Sequence, residues 1–310
     1  MDFALSDDQR AIAEAADALL AKHAGWERAA ALAMSGGYDD ALDQALGDAG
    51  FLEAALGPET GPLEAALVVL AVARAGGTVA AAAGALAVPL ALGRALPGPI
   101  ALADRAHPGP VRFAAHARTL VAIDGDAARA VAIERGAVQP VASPFGYPLG
   151  RTEGLARAGE DLGRGAGARL RDAWRTALAV ETAGTMAGAL AATVAYLTQR
   201  KQFGRPIASF QAVQHRLAAC AVQVEGARWL ALEAAAHGAP AEAAAVAATH
   251  AAATARRVFA ETHQLSGAIG YTREHPLHVF TMRLQALRLE LGGAPAHARA
   301  AAAARWTRAG

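Results

Sequence analysis

Cysteine and aromatic residues are scarce in this sequence of 310 residues. Cys220 is the single cysteine, which excludes a disulfide within the chain and fits a reducing, cytoplasmic location. Only 5% of the residues are aromatic although 54% are hydrophobic, and much of the apolar content is alanine. Because alanine is the strongest helix former and adds little buried area, we predict long helices whose axes approach closely.

The sequence also lacks long blocks of like charge. Its 29 basic and 28 acidic residues give a formal net charge of +1, so a basic nucleic-acid surface is not expected. The N-terminus has no basic segment followed by an apolar core, so we predict no secretory signal. Residues 65–92 are apolar, but Arg74, Pro89 and two adjacent glycines interrupt them. We therefore expect a buried helical hairpin there and no membrane span.

Helical signals recur through residues 1–96. Ser6 and Gln9 have the spacing of a capping box, and the helix that follows carries Ile12 and Ala16 on one face. Further helices are predicted at residues 38–49, 63–75 and 78–95, the last with a kink at Pro89. Residues 1–96 are thus predicted to form an N-terminal helical domain.

Residues 97–165 have a different pattern, in which short β-like runs alternate with Gly, Pro and Asp. The runs cover residues 100–103, 111–114, 119–123 and 130–133. Asp124 and Gly125 follow the third run directly and are typical of a tight turn. This amount of chain is too small for a large sheet with its own deep core. We predict a small antiparallel β-domain between two helical regions.

The helical period returns at residue 166 and continues to the end of the chain. The predicted bundle helices cover residues 166–201, the stretch from Phe210 to the stop at Gly238 and Pro240, and residues 241–265 and 277–291. A helical tail is predicted at residues 296–308. Long helices joined by short loops favour a bundle, so residues 166–310 are predicted to form a C-terminal four-helix bundle domain. The expected fold class is mainly α.

The loop between the first two bundle helices is dense in side chains that packing does not require. Residues 200–211 read Arg-Lys-Gln-Phe-Gly-Arg-Pro-Ile-Ala-Ser-Phe-Gln. A guanidinium suits a phosphate or carboxylate, and a phenylalanine offers an apolar face to a flat ring. The loop therefore indicates a grip on a phosphorylated, partly aromatic ligand. An ordinary polar turn between helices is the alternative.

A second informative stretch joins the third and fourth bundle helices. Residues 264–276 read Gln-Leu-Ser-Gly-Ala-Ile-Gly-Tyr-Thr-Arg-Glu-His-Pro. Gly267 and Gly270 allow the main chain to approach a ligand, and N–H groups in such a turn favour phosphate oxygens. The alternative is a simple glycine-rich connection between helices. The stretch is not a Walker loop or a Rossmann fingerprint, because no strand precedes it.

Together the two stretches resemble the signatures of the acyl-CoA dehydrogenases. Residues 200–211, followed by Leu217 and Ala218, resemble that family's R-x-x-F-G-x-P-I-x-x-F-Q…L-A signature. Residues 264–276 are similar to its Q-x-x-G-G-x-G-Y-x-x-E-x-P element, in the same order and at the same spacing. The opening from Phe3 to Gln9 is also similar to the usual start of the family. The resemblance is strong over residues 166–290 and poor in the middle of the chain.

The resemblance implies FAD bound between subunits. The arginine of the first motif would approach the pyrophosphate and the neighbouring aromatic residue would contact the cofactor, while the second motif of a neighbouring subunit would cradle the ADP half. Ala268 stands where the family has its second glycine, which adds a methyl group beside the pyrophosphate. The residues that the resemblance assigns to FAD are Arg200, Gln202, Phe203, Ile207, Phe210, Val213, Gln264, Leu265, Ser266, Gly267 and Ala268.

The family's reaction also needs a carboxylate that removes the α-proton of an acyl thioester while the β-hydride passes to the flavin. The resemblance places the usual glutamate at Leu291, with Glu290 beside it, and the alternative glutamate of some members at Trp174. Neither base is in register. The catalytic residue is therefore unknown from the sequence, and Glu290 is a candidate only if the register shifts.

The short middle region and the missing bases suggest an incomplete member of the family, like the short bacterial subunits of heteromeric acyl-CoA dehydrogenases that degrade fatty or steroid side chains. A homologous partner chain, in an α2β2-like hetero-oligomer, would complete the flavin site and supply the base; a homo-oligomer is the other possibility. An acyl-CoA substrate and an electron-transfer flavoprotein as acceptor would follow. The alternative function is a non-catalytic structural or regulatory subunit that completes a partner's flavin site.

Histidines do not indicate a metal centre in this sequence. We interpret His237, His250 and His263 as residues of a helix surface or an interface. No Glu-x-x-His pair occurs, which excludes the usual di-iron bundle. We expect no metal site.

Overall fold

The computed structural model describes residues 4–134, 136–155 and 159–306. Phe3, the first residue of the N-terminal similarity, and residues 307 and 308 of the predicted tail lie outside the described residues. The predicted fold class is confirmed, since helices form both ends of the chain and short strands lie between them.

The N-terminal helices begin with the predicted capping box. Ser6 Oγ accepts a hydrogen bond from the Gln9 main-chain N–H at 3.1 Å, and Gln9 Oε1 accepts one from the Ser6 N–H at 3.0 Å. These two bonds satisfy N–H groups that the first turn of a helix leaves free. The helices of this region are α1 (Asp7–His23), α2 (Trp26–Ser35), α3 (Asp40–Asp48), α4 (Pro62–Arg74) and α5 (Val88–Leu92).

Two details of the N-terminal prediction are wrong. The pattern did not indicate α2, and the helix predicted from residue 78 starts later, with a π-helical segment (Ala82–Ala87) that continues into α5. Residues 78–81 are held by tertiary hydrogen bonds instead: the Thr78 carbonyl accepts from the Asp39 N–H, and the Ala80 N–H donates to the Tyr38 hydroxyl. Local propensity for a helix is overridden by these partners.

The middle region forms two small sheets, of strand order β1-β3-β4-β7 and β2-β6-β5. The prediction of a wholly antiparallel sheet is wrong for one pair, because β1 and β3 run parallel. The predicted turn at Asp124 and Gly125 joins β3 to β4 in an antiparallel hairpin. The strands are β1 (Ile100–Asp104), β2 (Val111–Arg112), β3 (Thr119–Asp124), β4 (Ala127–Ala132), β5 (Gln139–Val141), β6 (Leu149–Arg151) and β7 (Glu160–Asp161).

The C-terminal helices pack as a bundle with the tail helix laid against it. Their order along the chain is α6 (Ala166–Gln199), α7 (Gln211–Ala236), α8 (Ala241–Ser266), α9 (Leu277–Leu287) and α10 (Gly293–Trp306). A two-stranded hairpin, β8 (Lys201–Gln202) and β9 (Arg205–Pro206), joins α6 to α7. The fourth bundle helix was predicted to reach residue 291, but α9 ends at Leu287 and a short 3-10 turn (Glu290–Gly292) follows.

Helix α6 is the central element of the fold. It packs on the N-terminal helices as well as on α7, α8 and α9. It is long and apolar enough to cross a membrane, but 72% of its most apolar window is buried inside the protein, as expected for a core helix. Buried side chains of α1, α4, α6, α7 and α8 belong to one continuous hydrophobic cluster. The helical regions therefore share a core, while the proposed limits at residues 97 and 165 stay predictions.

Candidate functional site

The loop that carries the first motif is a tight β-hairpin. Gln202 pairs with Arg205, so Phe203 and Gly204 form a two-residue turn, and both have positive φ (53° and 80°). Two such residues are typical of a type I′ turn, which matches the twist of antiparallel strands. The Phe203 side chain does not contribute to the core, because it is 92% exposed. The hairpin therefore projects this ring into solvent at the end of α6.

Cations and rings lie side by side on this hairpin. The Arg205 guanidinium stacks over the Phe210 ring at 4.1 Å, and the Phe203 and Phe210 rings are 6.2 Å apart, edge to face. Arg200 and Arg205 are exposed, and no described carboxylate forms an ion pair with either of them. An exposed arginine fork without an acidic partner is available to a phosphate or carboxylate.

The second motif begins where α8 ends. Gly267 has φ 65° and ψ −147°, a main-chain conformation that favours glycine, and residues Gly267–Tyr271 form a 3-10 turn. A Cβ on Gly270 would lie 2.9 Å from the Ser266 Cβ, so this glycine allows the turn to close on the helix. The structure thus explains both glycines by geometry. We call residues 264–271 the glycine turn.

The structure places the two motifs at the same end of one bundle. Tyr196, one turn before the hairpin, packs edge to face on His275 at 5.1 Å, just after the glycine turn. The Arg200 N–H donates to the Tyr196 carbonyl at 2.9 Å and fixes the start of the hairpin on the same helical turn. The flanks of the two motifs in a single chain are therefore in contact. The expected meeting of motifs from different subunits stays a prediction.

The residues assigned to FAD by resemblance differ in exposure. The exposed ones are Arg200, Gln202, Phe203, Gln264, Gly267 and Ala268. Those that are partly buried are Ile207, Phe210, Val213 and Leu265. Ser266 is buried, and its hydroxyl has no hydrogen-bond partner. Most of the set therefore lies on an accessible surface with polar donors and aromatic faces, which fits the pyrophosphate and rings of a flavin dinucleotide.

Glu290 lies in a buried ionic cluster and not on a free surface. Its carboxylate pairs with the Arg112 guanidinium, and its Oε2 accepts a hydrogen bond from Trp174 Nε1 at 3.0 Å. Arg112 also donates two bonds to Glu181, at 2.8 and 3.0 Å. The side chains of Arg112, Glu181 and Glu290 are 13%, 9% and 16% exposed. We call these three residues with Trp174 the Arg112 cluster.

The two possible positions of the family's base meet in this cluster. Trp174 occupies one of them and contacts Glu290, the neighbour of Leu291, which occupies the other. Leu291 is buried, with φ 51°, so the chain turns sharply between Glu290 and Gly292. This turn lets the Glu290 carboxylate reach Trp174 although its register differs by one residue. Glu290 is thus the carboxylate of the described chain that lies at the junction of both positions.

Sequence reasoning missed Arg112, Glu181 and Tyr147. The Tyr147 hydroxyl donates to Glu181 at 2.9 Å, and its ring lies between Arg112 and Arg283, at 4.6 and 4.9 Å. One signal was available: Arg112 is a charged residue inside a short β-like run. The contacts themselves join residues 34 to 178 positions apart, which no local pattern reports.

The electrostatics of the cluster keep Arg112 charged. Burial lowers the Arg112 pKa, but the carboxylates of Glu181 and Glu290 outweigh it and hold the pKa well above the ordinary value. Burial raises the Tyr147 pKa, reinforced by Glu181. Burial lowers the Arg283 pKa, and its guanidinium donates to the Gly77 carbonyl at 2.9 Å and the Thr78 hydroxyl at 2.6 Å.

The Arg112 cluster separates two spaces of very different size. An inner cavity of about 20 Å³, lined by apolar residues of the π-helical segment, β1 and α6, has room for a single water molecule. A groove of about 1390 Å³ opens on the other side, between the strands and the turn at Glu290–Gly292. Leu102, Arg112, Trp174 and Glu290 line both spaces and form the wall between them.

Two histidines next to the glycine turn, His263 and His275, are buried. His263 was expected on a surface or interface, but it is 3% exposed, so the surface part of that prediction is wrong for this residue. The reason is that the glycine turn folds back and lays the Tyr271 ring on the imidazole at 4.6 Å. Among the described residues no group of three His, Cys, Asp or Glu is arranged to hold a metal ion.

The comparison with known proteins supports the resemblance. Residues 170–305 match the acyl-CoA dehydrogenase C-terminal domain. The C-terminal part of this chain is therefore similar to that domain of the acyl-CoA dehydrogenases. Acyl-CoA dehydrogenase FadE34 of Mycobacterium tuberculosis is 37% identical over 163 residues, which are 50% of this chain and 23% of FadE34. The chain spans about a quarter to a third of the length of the curated acyl-CoA dehydrogenases that it matches.

Solved structures extend the likeness to the whole fold. The ChsE4-ChsE5 complex from Mycobacterium tuberculosis contains a chain with a TM-score of 0.81 and 23% identity, and the match covers 96% of this chain and 97% of that one. A variant of the Tcur3481-Tcur3483 steroid ACAD gives a TM-score of 0.79 at 24% identity, over 96% and 98% of the two chains. The chain therefore has an acyl-CoA dehydrogenase fold from its N-terminal helices to α10.

Proposed function

We propose that this chain is a subunit of an FAD-associated acyl-CoA dehydrogenase, which forms the α,β-double bond of an acyl-CoA thioester. The observation that carries the proposal is the shared end of the bundle, where unpaired arginines and an exposed phenylalanine lie with the glycine turn. These groups suit the phosphates and flat rings of FAD. The similarity of the C-terminal part to an acyl-CoA dehydrogenase domain supports the same chemistry.

Each described residue of the two motifs has a role towards FAD in this proposal. Arg200 would pair with the pyrophosphate, and Phe203 and Phe210 would offer their ring faces to the cofactor. Gln264 and the main chain from Gly267 to Ala268 would hold the ADP half through N–H and amide donors. When bound, the flavin accepts the hydride that leaves the β-carbon of the substrate. The protein's task is to hold that cofactor and to position the thioester beside a base.

A homologous partner chain is part of the proposal. The base positions at Trp174 and Leu291 carry no carboxylate, and both line the groove of about 1390 Å³. The similarity to a chain of the ChsE4-ChsE5 complex and to a steroid ACAD supports a hetero-oligomer and a fatty or steroid acyl-CoA substrate. A homo-oligomer is the competing assembly. An electron-transfer flavoprotein as the acceptor and a cytoplasmic location belong to the same proposal.

A specific observation favours a second candidate function, a non-catalytic subunit that completes the partner's flavin site. Glu290 is held by the Arg112 guanidinium and the Trp174 indole, so its carboxylate would have to leave both partners to act on a substrate carbon. The cavity behind it has room for one water and not for an acyl chain. In this version, the partner would supply both the base and the acyl pocket.

Co-expression with a homologous chain encoded next to it tests the proposal. FAD content and acyl-CoA-dependent bleaching of the flavin would be measured for the wild type and Arg200→Ala, with the exposed Arg256→Ala on α8 as the matched control. We expect FAD content to fall in Arg200→Ala only. Full FAD occupancy in Arg200→Ala would overturn the assignment of Arg200 to the pyrophosphate.

Glu290→Gln tests in the same complex whether this chain supplies the base. If Glu290 is the base, the variant keeps its FAD and loses bleaching by two to four orders of magnitude, as expected for removal of a general base. If the chain is non-catalytic, bleaching stays within about twofold of the wild type, while Arg200→Ala still lowers FAD content. Both readings are measured with the flavin spectrum before and after substrate addition.

A further inference from the structure

Below the glycine turn, the imidazole of His263 is enclosed without a polar partner. Its ring lies between the rings of Phe259 and Tyr271, at 4.5 and 4.6 Å. Neither ring nitrogen has a hydrogen-bond partner, and the Ser266 hydroxyl one turn later has none either. Gly270 lies directly above, since a Cβ on it would be 3.6 Å from His263 Nδ1. A neutral imidazole tolerates this place far better than a charged one, which would have two donors and no acceptor.

His275 fixes the other end of the same segment and is also held neutral. The Leu277 N–H, at the start of α9, donates to His275 Nδ1 at 3.2 Å, so this nitrogen is an acceptor and carries no proton. The ring is 7% exposed and packs on Tyr196 of α6. A proton on Nδ1 would remove the bond to Leu277 and place a donor against a donor.

No described carboxylate forms an ion pair or hydrogen bond with either histidine. His275 opposes a charge on His263, and His278, whose Nδ1 contacts the His275 carbonyl at 2.7 Å, opposes a charge on His275. Glu261, two residues before His263 on α8, pairs with Arg216 of α7. Tyr196, Tyr271 and His278 contact the pair from α6, the glycine turn and α9, and Arg273 and Glu274 are exposed beside His275 in the chain.

We infer that His263 and His275 form a pH-sensitive latch, which holds the glycine turn closed on the bundle while both rings are neutral and releases it when they are protonated. The inference rests on the proposed function for its consequence: release of the turn would withdraw Gln264, Gly267 and Ala268 from the ADP half of a bound dinucleotide. The opening of the turn itself is a property of this chain alone. It needs no flavin and no partner to be observed.

The sign of the effect follows from the protonation states. Burial lowers the pKa of His263 and of His275 below the ordinary value of 6.5. In the open turn the rings are solvated and regain that ordinary value, so the closed state is fully favoured above pH 6.5 and loses its advantage as the pH falls below it. Each histidine shifts the ratio of open to closed turn by up to about tenfold per pH unit in this window.

Hydrogen exchange of the purified full chain tests the latch. Protection factors of peptides within residues 259–278, which correct for the pH dependence of exchange itself, would be compared between pH 7.5 and 5.5. We expect a loss of at least about tenfold in the wild type. His263→Phe keeps a ring between Phe259 and Tyr271, and His275→Asn keeps a neutral acceptor for Leu277. The double variant is expected to change less than about twofold.

The exposed His237→Phe serves as the matched control and should behave as the wild type. Equal protection at both pH values in the wild type overturns the latch, and so does an equal loss in the double variant. If the double variant does not fold, each single variant is expected to show about half of the loss on a logarithmic scale, and a full loss in both overturns the latch.

Binding of ADP to the same proteins separates the latch from the proposed function. We expect ADP affinity to fall between pH 7.5 and 5.5 in the wild type by at least about tenfold more than in the double variant, which also reports the titration of the nucleotide itself. If the turn opens in acid while ADP affinity stays equal in both proteins, the latch stands and the proposed nucleotide role of the turn fails. If ADP binds the double variant and the wild type with the same pH dependence, and hydrogen exchange of the turn does not differ between pH 7.5 and 5.5, the latch fails and the proposed nucleotide role of the turn stands.

Discussion

Arg112 is the residue on which the centre of the molecule depends. Its guanidinium joins Glu181 of α6 to Glu290 of the turn before α10, and it stacks on Tyr147. A buried ion pair adds little net stability when it is complete, because desolvation offsets the attraction. Removal of one member is different, since the remaining charges stay buried without a partner. A single substitution in the cluster is therefore expected to lower the free energy of unfolding strongly.

Arg112→Met is predicted to destabilise the protein strongly. Methionine preserves the apolar stem but leaves Glu181 and Glu290 without their cation, and loss of one partner of a buried pair costs roughly 3–5 kcal/mol. Urea unfolding followed by tryptophan fluorescence measures the change. The matched control is Arg105→Met, which removes an exposed ion pair with Asp124 and is expected to cost about 0.5 kcal/mol or less. Equal losses in the two variants would contradict the view that burial makes the difference.

The candidate site was predictable from the sequence only in part, and the residues show why. Arg200, Phe203 and Gln264 belong to local motifs with fixed spacing, so their presence at helix connections followed from the chain itself. Their joint position at one end of the bundle depends on the packing of α6 and α8. Glu290 could be noticed one position from the base register, but its partner Arg112 comes from β2, 178 residues away. Long-range ionic contacts of this kind leave no periodic signal.

At the scale of elements, the close approach of α4 to α6 decides the shape of the core. Gly184 of α6 allows it, because a Cβ at this position would lie 2.4 Å from the Leu70 carbonyl oxygen and 2.9 Å from the Ala73 Cβ. The contact is against main chain, which cannot turn aside as a flexible side chain would. The abundance of alanine in the sequence predicts close helix axes, and the glycines of α6 mark where the axes come closest.

Gly184→Ala is predicted to destabilise the protein although alanine is the better helix former. The gain in helix propensity is about 1 kcal/mol, but a methyl group forced against the Leu70 carbonyl is expected to cost more, for a net loss of about 1–3 kcal/mol. The control is Gly47→Ala in α3, where the nearest atom, Leu52 Cδ1, is 3.7 Å away. That variant should be neutral or stabilised by up to about 1 kcal/mol. Thermal and urea unfolding of both variants decide the matter.

Helices were easier to predict than strands because their signals are local. The limits of α6 and α8 follow from apolar periodicity and from glycine or proline at their ends. The parallel pairing of β1 with β3 could not be predicted, since nothing in either run states its partner or direction. The late start of the helix at residue 82 has the same origin, because Tyr38, which lies between α2 and α3, holds the preceding main chain.

The whole molecule is tied together by the turn at Glu290–Gly292 and the helix that follows it. Helix α10 packs on α8 of the bundle, and Gly292 lies against His107 of the loop after β1. His297 of α10 is completely buried there, and neither of its ring nitrogens has a hydrogen-bond partner. Because α10 packs on α8, which belongs to the shared hydrophobic cluster, a charge that loosens α10 weakens the cooperative unit and not only its last helix.

His297 is predicted to make the stability of the whole protein sensitive to acid. Burial, with smaller contributions from Arg175 and His107, lowers its pKa from 6.5 to about 4. Between pH 6.5 and pH 4, His297 is protonated in the unfolded chain and neutral in the folded protein. The stability that this residue contributes is therefore complete above pH 6.5 and is lost as the pH falls towards 4. From pH 6.5 to pH 5 the loss assigned to this residue is about 1.6 kcal/mol. His297→Leu, which cannot be protonated, should lose that much less than the wild type in urea unfolding at the two pH values, whereas the exposed His237→Leu should follow the wild type. Parallel pH profiles for the wild type and His297→Leu would show that this histidine is not the acid-sensitive group, because a neutral side chain at position 297 has no proton to exchange with the unfolded state.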